Sequence, residues 1–149
     1  TEWLKQLFGE SECKDGKGVI PMSLQMSTDL HSMGQFLQEG RQIFFETTLT
    51  VEHIRRDVSL EHSQFAGNVK TMHMLNLIVE DSARKAHMKN NTPNIRLTVA
   101  DLSARSFGYM VYFFEKACAV SCYLTGVNPF DQPGVEDYKS NIKAALRSE

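Results

Sequence analysis

Residues 103–126, SARSFGYMVYFFEKACAVSCYLTG, read as one helix that is apolar almost all round. A helix without a polar face has to be covered on every side, by lipid, a domain core or a partner. Arg105, Glu115 and Lys116 interrupt it, so no run of about 18 apolar residues survives to span a bilayer. The helix is therefore expected in a domain core or a subunit interface, with no membrane contact. Cys118 and Cys122 lie four apart on it, a spacing that suits packing better than a disulfide framework. With Cys13 the cysteine count is 3, an odd number with no CxxC pair, which favours a reducing, cytoplasmic setting.

The rest of the chain alternates helix and strand signals. TEWLKQLFG reads as the last turns of a helix that stops at Gly9, and the chain is expected to be a piece of a longer protein. A polar loop, ESECKDGKG, leads to a short extended piece around Val19 and Ile20. STDLHSMGQFLQEG carries a start signal at Ser27, Thr28 and Asp29 and a stop at Gly40, with Leu30, Met33, Phe36 and Leu37 on one face. RQIFFETTLTV and NIRLTVAD are rich in β-branched residues and read as strands. Between them, RRDVSLEHSQFAG is irregular, a helix runs from about Val69 to His87, and NNTP turns the chain. The implied order is strand, helix, strand, helix, strand, helix, helix. That is an α/β domain with a partly parallel sheet covered by helices. At 149 residues a single domain with a real core is expected. The net charge is −2 and no basic stripe with interleaved aromatics occurs, so nucleic acid is not an expected partner.

Few residues stand out chemically. In GVNPFDQPGVEDYK, residues 126–139, Asp131 or Gln132 can cap a helix and Pro133 suits its first turn. On the helical wheel Val135, Tyr138, Ile142, Ala145 and Leu146 form an apolar stripe, and Lys139 sits on its shoulder. Lys139 is either a snorkelling lysine or an ammonium held against a pocket wall, where it can bind or protonate an oxygen. His31 lies on the polar side of its helix, within the first turns, where the positive helix terminus would favour the neutral ring. It is either an exposed helical histidine or a proton carrier. Glu10 and Glu12, two apart after the first helix, are either solvated loop charges or a pair facing one cleft, where a shielded carboxylate could act as a base. No HxxxH or HExxH pairing points to zinc, and no GxSxG, P-loop or GxGxxG occurs. Residue spacing thus yields a short list and no reaction.

Longer motifs carry a resemblance. GVNPFDQPGVEDYK resembles the C-terminal signature of the phosphoglucose isomerase (glucose-6-phosphate isomerase) family. FGESECKDGKG, STDLHSMGQFLQEG and SFGYMVYFFEKACAVSCYLTGVNPF are similar to its shorter bacterial branch, in the same order. The resemblance covers essentially the whole chain, and Leu75 to Asn94 is its least distinctive part. It implies interconversion of glucose 6-phosphate and fructose 6-phosphate without metal or organic cofactor. It implies that Glu10, following Phe-Gly, is the base, with Glu12 in reserve. His31 would help open and close the sugar ring, Lys139 would touch the ring or hydroxyl oxygen, and Gln132 would contact substrate. It further implies a homodimer of sugar-isomerase (SIS) domains with the histidine contributed across the subunit interface. The family's Ser/Thr-rich phosphate loops and its Gly-Gly-Arg motif do not occur in this sequence; Thr47, Thr48 and Thr50 fall in a strand. The chain therefore looks like the C-terminal third, a partial second SIS domain plus C-terminal helices, with the N-terminal SIS domain absent. Cys13 and Cys122 depart from glycines of the family, and Cys13 is expected to stiffen a turn that wants positive φ. A different class of function, a non-catalytic sugar-phosphate-binding SIS module, shares the fold but has no need of Glu10, His31 and Lys139 together.

Overall fold

The computed structural model describes residues 1–63 and 67–147; part of the irregular segment assigned to RRDVSLEHSQFAG lies outside them. Its elements are α1 (Glu2–Ser11), α2 (Thr28–Ser32), α3 (Gly34–Glu39), β1 (Glu46–His53), α4 (Met72–Lys89), β2 (Asn94–Asp101), α5 (Ala104–Thr125), a 3-10 turn (Pro133–Val135) and α6 (Glu136–Ala145). The α/β class expected from the sequence is what the chain adopts. It divides into two units, residues 24–110 and residues 1–23 with 111–149, each described by itself.

In the unit of residues 24–110, β1 and β2 run parallel with α4 as the crossover, in register from Glu46 opposite Asn94 to His53 opposite Asp101. A parallel pair requires such a crossover, because a tight hairpin cannot reverse the chain twice. β1 begins at Glu46, later than RQIFFETTLTV suggests. The reason is Pro93: the Glu46 N–H donates to its carbonyl at 2.9 Å, but proline has no N–H to carry the ladder one residue further back. Gln42 instead folds back, donating to the Leu37 carbonyl at 3.2 Å and accepting from the Thr92 hydroxyl at 2.6 Å.

Strand side chains alternate in direction. Those of Glu46, Thr50, Asn94 and Arg96 meet polar groups of α4 or one another. Thr50 donates to Glu80 at 3.0 Å, Arg96 pairs with Glu80 at 3.1 Å, His87 Nδ1 lies 2.8 Å from Glu46 Oε1, and Asn94 donates to Glu46 at 2.9 Å. Thr50, His87 and Thr92 are buried there. The opposite set, Leu49, Val51, Ile95, Leu97 and Val99, is apolar, and Leu49 and Ile95 are about half exposed. α4 starts three residues after the expected Val69 because Thr71 caps it, its hydroxyl accepting from the Met74 N–H at 3.2 Å.

Two expectations need correction. The helix over STDLHSMGQFLQEG is broken at Met33, which ends α2 and precedes α3. Asp29 accepts from the Gln25 N–H and the Ser32 hydroxyl, giving the backbone local partners that compete with a continuous helix, and Gly34 follows at once. Val19 and Ile20 form no strand: neither lies in a regular element, and Ile20 is almost wholly exposed. Among the described residues the order therefore holds two strands, not three.

The other unit centres on α5. Cys118, Cys122 and Val127 are buried with Leu7 and Phe8 of α1 packed against them, and the Cys118 thiol donates to the Leu7 carbonyl. The two cysteines pack as free thiols, as their spacing suggests. α5 stops at Gly126, whose φ of +73° is a left-handed conformation that suits glycine, while the Val127 N–H returns to the Cys122 carbonyl at 2.9 Å. Only one strip of α5 is buried, at Phe114, Cys118 and Cys122. Tyr112, Tyr123 and Leu124 are exposed, as is the stripe of Tyr138, Ile142 and Leu146 on α6. Among the described residues no helix is long and apolar enough to cross a membrane.

Candidate active site

Glu10 lies in α1, not in a loop after it, because Gly9 does not end the helix. Gln6, one turn earlier, donates to Glu10 Oε1 at 3.4 Å. Gln132 donates to Oε2 at 2.9 Å from the other end of the sequence. Both carboxylate oxygens thus face amide donors, and the group is open to solvent. Gln132 stands just before the 3-10 turn, with Pro133 in the first position, where its missing N–H is no loss.

Glu12 is the C-cap of α1 and points elsewhere. It is buried, and its Oε1 accepts a hydrogen bond from Ser121 of α5. Two residues along a helix are about 200° apart, so the two glutamates do not share a cleft. One carboxylate is presented to solvent and the other serves the packing of α1 on α5.

Lys14 follows two residues after Glu12, beyond the end of α1. Its side chain is only 8% exposed, and its ammonium donates to the Asn128 carbonyl and to Asp131 Oδ1, the latter at 2.9 Å. Lys14 and then Asn128 hold the Asp131 carboxyl below its ordinary range. Cys13 does not occupy a positive-φ position; Asp15, Gly16 and Gly18 do. Cys13 acts on this turn through its bulk, since a Cβ at Gly18 would lie 3.0 Å from both Cys13 Cα and Sγ. Sequence reading missed Lys14 and Ser121. A lysine in a polar loop and a serine in an apolar helix carry no spacing signal of their own.

Lys139 lies near the start of α6 in the same unit as Glu10 and Gln132. Its ammonium pairs with Glu136 Oε1 at 3.1 Å, one turn back, and its side chain is 45% exposed. His31 belongs to the unit of residues 24–110 and is exposed. It sits in the last turn of the five-residue α2, not in the first turns of a longer helix as the sequence suggested. The structure thus joins Glu10 to Gln132 directly, and ties Lys139 to a neighbour on its own helix.

Over 98% of its length the chain is 51% identical to a glucose-6-phosphate isomerase of Shouchella clausii, and 47% and 50% identical to those of Clostridioides difficile and Symbiobacterium thermophilum. The chain is similar to about a third of a glucose-6-phosphate isomerase. It spans 34% of the length of each of these three relatives. No family model matches it. Among solved structures, a hypothetical protein from Thermus thermophilus superposes with a TM-score of 0.84 at 22% identity, covering 99% of this chain and 38% of that one. A glucose-6-phosphate isomerase from Chlamydia trachomatis gives 0.73 at 21% identity, covering all of this chain and 33% of that one. These two likenesses concern the fold.

Proposed function

We propose that this chain is the C-terminal portion of a glucose-6-phosphate isomerase and supplies its proton-transfer groups. The identity of 47–51% to enzymes of that name, over 98% of the chain, carries this reading. The pairing of Glu10 with Gln132 supports it, since a base and a substrate-binding amide belong side by side.

The reaction moves a carbonyl from C1 to C2 of the sugar. Glu10 takes the proton from the carbon beside the carbonyl and returns it to the neighbouring carbon, through a cis-enediolate. Triosephosphate isomerase, a worked example of such chemistry, uses a glutamate in the same way. Gln132 hydrogen-bonds Glu10 and turns with it toward the substrate hydroxyls. Ring opening needs a separate acid and base, which are Lys139 and His31. For Lys139 to reach a sugar oxygen it exchanges the carboxylate of Glu136 for substrate, and its charge then stabilises the developing oxyanion. The enzyme acts without metal or organic cofactor, in the cytoplasm, as a homodimer in which His31 serves across the subunit interface.

The phosphate grip and the enediolate-stabilising arginine lie outside these residues, so the isolated chain is inactive. The test is a coupled assay of the chain alone and of the chain joined to the part of the Shouchella clausii relative it does not cover. Turnover should appear only in the joined enzyme and fall roughly 10³-fold on Glu10→Gln, the scale of a lost general base. Full turnover by the Glu10→Gln variant would refute the role of Glu10.

A further inference from the structure

We propose that Lys14 is a positioning residue: its ammonium locks the turn of residues 128–131 to the segment that follows α1 and so sets Gln132 against Glu10. The inference rests on the reading of Glu10 as the base.

The covalent layout makes this lock effective. Lys14 comes four residues after Glu10, and its acceptors, Asn128 and Asp131, lie directly before Gln132. Two ties therefore join the same two segments, one polar and open to solvent at Glu10–Gln132, one charged and largely buried at Lys14. A single hydrogen bond between exposed groups contributes little, because water competes for both partners. An ammonium whose side chain is only 8% exposed, facing a carboxylate that is about half exposed, is costly to leave unpaired, so its geometry is enforced. The turn it grips is internally braced: Asn128 Nδ2 donates to Asp131 Oδ2 at 2.9 Å, and the Phe130 N–H donates to Asn128 Oδ1 at 3.1 Å. The turn moves as one body, and what holds Asp131 also places the next residue, Gln132. Opposite it, the path of the Lys14 loop is fixed by the close approach of Gly18 to Cys13.

The test has two arms. In the 149-residue chain, the NMR signals of the Gln132 side-chain amide should shift on Glu10→Gln, and lose that response in a Lys14→Met background. In the joined enzyme, Lys14→Met should lower kcat roughly 100-fold, the scale of an ångström-level misplacement, with KM for glucose 6-phosphate little changed, and Lys14→Arg should recover most of it. Asp131→Asn, which removes the charge but keeps an acceptor, should give the same pattern more weakly and stands in if Lys14→Met does not fold. A Gln132 amide that still responds to Glu10→Gln without Lys14 would overturn the proposal, as would a Lys14→Met enzyme with normal kcat or a defect confined to KM. Should Glu10→Gln itself leave turnover intact, the functional reading fails, while the NMR arm still decides the lock.

Discussion

Glu10, Lys14 and Glu12 sit within five residues and have three fates: one carboxylate meets amides in solvent, one ammonium is buried in an ion pair, and one carboxylate is buried on a serine. Environment, not residue type, sorts them. The thiols show the same sorting. Burial first, and the neighbouring Cys122 next, push the Cys118 thiol up to about 11, and burial raises Cys13 as well. Thiolate is the reactive form, so a thiol reagent at neutral pH should label Cys13 slowly and leave Cys118 and Cys122 untouched until the chain unfolds. Mass spectrometry after timed alkylation checks this; fast labelling of Cys118 in the folded chain would contradict it. Asp101 is shifted the other way. Ser103 first, then Ser106, lower its carboxyl from 3.8 to about 2. A depressed folded value stabilises above the unfolded value and is lost as pH falls through the folded one. Asp101→Asn should therefore flatten the decline in stability between about pH 4 and pH 2, as read by urea unfolding across that range.

At the scale of elements, β2 was legible in the sequence to the residue, because NIRLTVAD is bounded by a turn before it and by Asp101 after it, whose carboxylate accepts from the Ser103 N–H just ahead of α5. α5 and α4 were legible in their pattern, with α4 displaced to the cap that Thr71 provides. Thr71→Ala should cost about 1 kcal/mol of stability, measured by denaturant unfolding, if that hydroxyl sets the boundary. Two of the failures share a cause: local polar side chains took over backbone groups that periodicity assigned to regular structure. Asp29 and Ser32 split one helix into α2 and α3, and Gln42 with Pro93 shortened β1. At the candidate site, the meeting of Glu10 with Gln132 was invisible to spacing because 122 residues separate them. Only the longer motifs placed both on one list. The tie of Lys139 to Glu136 was not read from the sequence, because the wheel weighed Lys139 only between water and a pocket wall.

For the whole molecule, the apolar faces set the expectation. Tyr112, Tyr123 and Leu124 of α5, Ile142 and Leu146 of α6, and Leu49 and Ile95 of the sheet are half or more exposed, or close to it, in a chain that spans 34% of its relatives. Exposed apolar surface of that kind drives association. The chain alone should self-associate at high concentration, as seen by light scattering; a clean monomer would contradict this.

The central claim is that this chain carries the proton-transferring carboxylate of an aldose–ketose isomerase. Its most direct test is exchange of the substrate C2 hydrogen with deuterated solvent in the joined enzyme, compared with its Glu10→Gln variant. Deuterium should enter glucose 6-phosphate and fructose 6-phosphate with Glu10 present and be lost together with turnover when it is replaced. Undiminished exchange in the Glu10→Gln enzyme would contradict the account.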